Sequence, residues 1–153
     1  MNKKWIKIAV PVALTVAIMY AMVYFDVTMR AKSAYMEAEK YRSWHENPQA
    51  KKLALQEKLD KEMKKLEAEL SKNKIKKEDY DKEAEVARFN FSRESEESSI
   101  KYAYIWYQTA IELFSPPESK WVKLARQKLP EAKALWRKEL ERKGIKVEDY
   151  MLE

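Results

Sequence analysis

Few side chains in this sequence could do acid–base or metal chemistry, and they are poorly placed for it. A single histidine, His45, precedes Glu46 and Pro48, and there is no cysteine. A histidine acting as general base or metal ligand needs further donors within reach, and only Glu46 adjoins it. Its place at a helix–loop junction favours an exposed, non-catalytic histidine. Two acidic pairs, Glu78-Asp79 and Glu148-Asp149, recur along the chain. Adjacent residues on a helix point to different faces, so neither pair forms a two-carboxylate site. They suit helix starts after Ile75 and Ile145, or contacts made through Tyr80 and Tyr150. No Walker loop, dinucleotide fingerprint, HExxH or GxSxG motif occurs. One glycine, Gly144, cannot build a phosphate cradle. The chain is therefore read as non-enzymatic, with no cofactor, no metal and no small-molecule substrate.

Recognition is a better use of these residues. Tyr102-Ala103-Tyr104-Ile105-Trp106-Tyr107 is a run of six bulky or apolar side chains. On one helix they cannot all face inward, and about half must look elsewhere. Tyrosine and tryptophan are enriched at the centres of protein interfaces. The sequence reading places a partner surface on Tyr102, Tyr104, Ile105, Trp106 and Tyr107, mixed with core positions on the same helix.

The element that decides where this surface works is the N-terminus. Ile8 to Phe25 is an apolar run without a charge, and Trp5 and Ile6 lengthen it across Lys7. About 20 residues at roughly 1.5 Å each span the roughly 30 Å hydrocarbon core of a bilayer. A cleaved signal has a shorter apolar region and a small-residue cleavage site, whereas this run ends in Met22-Val23-Tyr24-Phe25-Asp26. Residues 1–26 are thus read as an uncleaved signal anchor, with Trp5, Tyr20 and Tyr24 as aromatic belts at its ends. Lys3, Lys4 and Lys7 cluster before the span. That places the N-terminus in the cytoplasm and the body outside, periplasmic if the membrane is a bacterial inner membrane.

The remaining stretch, roughly 125 residues, suits one small domain. Charged residues make up 37% of the chain, and only one glycine is present. Lys and Glu in that proportion, without turn glycines, describe helices and not sheets. The net charge of +6 includes the N-terminal lysines. Downstream charges alternate in sign, so no nucleic-acid surface is expected.

The body reads as two related halves. Residues 75–83, I-K-K-E-D-Y-D-K-E, match 145–153, I-K-V-E-D-Y-M-L-E, at six of nine positions. Leu59 and Leu129 then become equivalent, and both are expected to be buried. Copy one (27–83) is a hairpin broken at His45-Glu46-Asn47-Pro48. Its second helix, about 50–73, carries the stripe Leu55, Leu59, Met63, Leu66 and Leu70. Copy two (101–153) places Ile100, Ala103, Tyr104, Tyr107, Ala110, Ile111 and Phe114 on one face, then a Ser115-Pro116-Pro117 loop. Its facing stripe is Val122, Ala125, Leu129, Ala132, Trp136 and Leu140. Pro130 is expected to kink or divide that helix, and Arg142-Lys143-Gly144 to stop it. In the connecting segment 84–100, Ala84, Ala87 and Phe91 allow a packed helix. Glu94, Glu96 and Glu97 are expected near a helix N-terminus, where the dipole favours acids.

Copy two resembles a tetratricopeptide-repeat hairpin, with Tyr102, Ile105, Glu118, Val122, Ala125 and Pro130 at fitting intervals. Trp106 stands where that family places a small residue. The resemblance covers about a third of the chain, and it implies a scaffold that binds a protein partner. The expectation is an all-α, single-pass membrane protein with duplicated hairpins, acting as an accessory or scaffold subunit of a membrane complex. A self-associating coiled coil built on Leu55–Leu70 is a second reading. A third is a membrane-anchored recruitment receptor, resembling the mitochondrial import receptors that also join an anchor to helical repeats.

Overall fold

A computed structural model describes residues 3–148, with side chains from Ala9 onward. The described residues are all-α: α1 (Lys3–Glu46), α2 (Pro48–Ser71), α3 (Lys77–Glu96), α4 (Ser99–Glu112) and α5 (Lys120–Arg142). They form two compact units, residues 1–40 with 101–153 and residues 41–100. Copy two of the sequence reading falls within the first unit, whereas copy one is shared between both.

Helix α1 runs for 44 residues without a break, through the anchor boundary and into the body. Pro11 lies inside it. Large apolar side chains between Val10 and Phe25 are all exposed, from 47% at Tyr24 to 72% at Tyr20. This is the one described helix long and apolar enough to cross a membrane. Among the described residues nothing buries that surface. Tyr20 and Tyr24 stand near its C-terminal end, and the side chain of Trp5 lies outside the described residues.

In the first unit α1, α4 and α5 pack through alanine seams. Ala31, Ala34 and Ala38 recur at spacings of three and four, and each is at most 2% exposed. Ala103 and Ala110 of α4 and Ala125 and Ala132 of α5 are buried likewise. A methyl group at the contact lets helix axes approach closely. Tyr107 and Val122, both 0% exposed, fill the volume between the seams. Tyr35 meets Tyr107 and Trp121, with ring centroids 5.9 and 5.6 Å apart. Tyr104 packs on Trp136 at 5.4 Å. Ser119 begins α5 by accepting the Val122 N–H at 3.4 Å.

Three sequence expectations change here. Pro130 does not divide α5, which continues from Lys120 to Arg142. Pro130 is exposed, so water can satisfy the carbonyl that the missing N–H leaves open. Leu129, expected to be buried, is only half-buried, and so is Leu59. No helix is assigned over residues 145–148, although an acidic start was expected after Ile145; Asp149 and Tyr150 lie outside the described residues.

In the second unit α2 and α3 form the hairpin. Asn47 caps α2, its side-chain oxygen accepting the Ala50 N–H at 3.2 Å, and Pro48 occupies the first turn. Both features follow from the residue types. The helix ends with Asn73 at φ 52°, where Lys74 N–H returns to the Glu69 carbonyl at 2.9 Å. Gly144, at φ 74°, ends α5 in the same manner, with Ile145 N–H on the Leu140 carbonyl at 3.0 Å. Such left-handed stops accept glycine or asparagine most readily. Leu55 and Leu66 are buried, as are Ala84 and Ala87 of α3. Leu55 and Leu66 of the α2 stripe are therefore covered within the chain, where α3 packs on α2, and Leu59, Met63 and Leu70 are half-buried.

Candidate interaction surface

The aromatic run lies on α4 and divides between interior and surface. Tyr104 is 5% exposed and Tyr107 0%, and both belong to the core of the first unit. The Tyr107 hydroxyl donates to the Glu39 carboxylate of α1, which supplies the partner that a buried phenol needs. Assigning Tyr104 and Tyr107 to a partner surface was thus an error of phase. Sequence reasoning found too many bulky residues for one face, but could not say which half turned inward. Ala103 and Ala110, at the same helical phase as Tyr107, were the available signal.

Tyr102, Ile105 and Trp106 remain. Ile105 is exposed, and Tyr102 and Trp106 are half-buried. Followed by Thr109 and Leu113, they make a stripe at spacings of three and four on the outer side of α4. Leu113 is 70% exposed. Trp106 and Phe114 line a shallow groove with Met29, Arg30, Ser33 and Ala34 of α1.

Polar chemistry gathers at a different place, where α2 meets α3. Lys51 is only 9% exposed. Its ammonium donates to the main-chain oxygens of Ser95 at 3.1 Å and Glu97 at 2.7 Å. These carbonyls end α3, and a cation placed on them satisfies acceptors that no helical N–H reaches. Two turns along α2, Lys58 pairs with Glu94 at 2.8 Å. The hydrogen bond that it donates to Glu94 holds the Lys58 ammonium above its usual pKa of 10.5, against a smaller opposing effect of burial. Glu94 and Glu96 thus stand in the last turn of α3 and not near the helix start expected of them, whereas Glu97, its C-cap, lies two residues before α4 begins at Ser99. The helix dipole disfavours acids there; Lys51 and Lys58 of α2 offset it. Glu78 and Asp79 do occupy the first turn of α3.

His45 lies half-buried in the last turn of α1. Glu46, its sequence neighbour, pairs instead with Arg42 at 3.3 Å. Among the described residues no three of His, Cys, Asp or Glu assemble as a metal site. No family model, curated protein or solved structure matches the chain.

Proposed function

We propose that this chain is a non-catalytic, single-pass membrane protein whose helical body serves as an accessory or scaffold subunit of a membrane complex. The carrying observation is that two exposed apolar surfaces coexist in one unit. One is the α1 segment Val10–Phe25; the other is the outer side of α4, where Ile105 and Leu113 are exposed and Tyr102 and Trp106 are half-buried. An apolar helix of that length has its natural solvent in a bilayer. An aromatic stripe beside it has its natural cover in another protein. The lysine cluster before the span supports a cytoplasmic N-terminus and an extracytoplasmic body at the inner membrane. The tetratricopeptide-like spacing of copy two supports the same reading. The coiled-coil alternative has less support, because α3 already occupies the Leu55–Leu66 face.

Purification of the full chain from its native membrane in mild detergent tests this reading. A protein subunit in stoichiometric amount is the expected result. Ile105→Ala and Trp106→Ala should release it at unchanged helix content and melting temperature. Purification as a bare monomer, or retention of every partner by both variants, rejects the assignment.

A further inference from the structure

The three helices of the first unit run in a fixed order along α1. Tyr107 meets Tyr35 and Glu39, whereas Trp106 and Phe114 share a groove with Met29, Arg30, Ser33 and Ala34. Helix α4 therefore descends antiparallel to α1, and its C-terminal end comes level with Met29–Ala34. Helix α5 starts back from there, with Trp121 against Tyr35. The turn between them, residues 113–119, is thus the part of the unit that lies nearest the apolar segment.

Ser115-Pro116-Pro117-Glu118-Ser119 are ordinary loop residues, but the turn opens on two large apolar side chains, Leu113 and the half-buried Phe114. Leu113 is 70% exposed and Met29 beside the groove 43%. Among the described residues Leu113 is left largely uncovered, and Met29 is covered in part by the groove it shares with Trp106 and Phe114. Two lysines flank the turn: Lys32 and Lys120 each place their ammonium 5.6 Å from the Trp121 ring centroid. Apolar tips beside tryptophan and lysine are the pattern of a polypeptide lying at a lipid–water boundary.

Distance supports the match. Asp26 is the first charge after the apolar run. Helix α1 is continuous there, so Arg30 stands about 6 Å further along the axis at roughly 1.5 Å per residue. The headgroup layer of one leaflet is about 5–7 Å deep. The level of Met29 and Arg30, where the α4–α5 turn lies, falls within that layer. The exposed apolar surface of the span thus continues onto the turn with no polar gap wider than the headgroups.

We propose that the α4–α5 turn, led by Leu113 and Phe114, beds into the headgroup layer of the bilayer that α1 crosses. The proposal rests on the reading of α1 as a membrane span. A second attachment point of this kind fixes the tilt and rotation of the unit on the membrane, which one helix alone does not. It also presents Tyr102 and Ile105, further up α4, toward neighbours in the same membrane.

The absence of cysteine from the sequence makes site-specific labelling direct. Full-length chains carrying Leu113→Cys, Met19→Cys or Lys138→Cys are labelled with an environment-sensitive fluorophore. They are then reconstituted into phosphatidylcholine–phosphatidylglycerol vesicles. Quenching is read with lipid nitroxides at the headgroup, lipid nitroxides deep in the acyl chain, and aqueous iodide. The expected pattern has position 19 quenched by the deep nitroxide, position 113 by the headgroup nitroxide, and position 138 by iodide alone. A label at 113 quenched by iodide as fully as the label at 138 overturns the proposal while position 19 upholds the span. Shielding of position 113 from all three quenchers also overturns it, and assigns the turn to a protein contact. Failure of the deep nitroxide to quench position 19 removes the span, and the proposal with it.

Discussion

The Lys51 ammonium stands 2.7 Å from the main-chain oxygen of Glu97, 46 residues further along the chain. One side chain from the first turn of α2 thereby closes the last turn of α3. Lys51→Met keeps the aliphatic stem and removes the donor. The carbonyls of Ser95 and Glu97 lose a partner in a nearly dry place, at a cost of about 1–3 kcal/mol. Chemical denaturation should show that loss. Amide exchange should quicken first in the last turn of α3, and an unchanged exchange pattern there would contradict the role.

The Lys58–Glu94 pair has a pH signature. The folded state holds the Lys58 ammonium above 10.5, so the folded chain keeps that proton more tightly than the unfolded one. The resulting stabilisation is complete below the unfolded pKa and is lost as pH rises through the higher folded value. Lys58→Met should be less stable than the parent at about pH 9, with the two converging once pH exceeds the raised folded value. With Lys58 more than half exposed, the effect is small and salt-sensitive. A gap that persists unchanged at high pH would assign it to packing of the lysine stem.

Close approach of helices through alanine is testable by enlargement. Ala38 is 0% exposed on α1, and Ala38→Leu forces extra carbons into the seam. A loss of about 1–3 kcal/mol is expected from overpacking. Thermal unfolding of the full chain in detergent measures it, and a neutral result would mean that the seam has room.

The leucine stripe should show graded losses. Leu55→Ala, at a site 4% exposed, should cost about 2–5 kcal/mol. Leu59→Ala should cost less, because that side chain is half-buried. Equal losses would mean that Leu59 is more enclosed than its exposure indicates.

The span carries two expectations of its own. Intact-mass measurement on the mature protein should find residues 1–26 retained, whereas a chain starting near Asp26 or Ala34 would mean cleavage. A reporter fused after Glu153 that works only outside the cytoplasm should be active, and robust activity of a cytoplasmic reporter would reverse the topology.

What the sequence determined by itself was set by short-range physics. The uncharged run Ile8–Phe25 dictates a long exposed apolar helix. The cap at Asn47-Pro48 and the stop at Gly144 depend on residues one to four positions away. The all-α class follows from composition. What only the tertiary structure decided depends on which helix meets which. Periodicity identified an apolar face on α2 but not that α3, rather than a second chain or the end of α1, covers it. The bulky run on α4 announced two faces, yet only packing against the alanines of α1 and α5 turned Tyr104 and Tyr107 inward and left Ile105 outside. The placement of Glu94 and Glu96 shows the same division. Taken alone, an acidic cluster before a polar break belongs at a helix start, by the helix dipole. Lys51 and Lys58, brought from a neighbouring helix, supply the positive charge that lets it sit at a helix end.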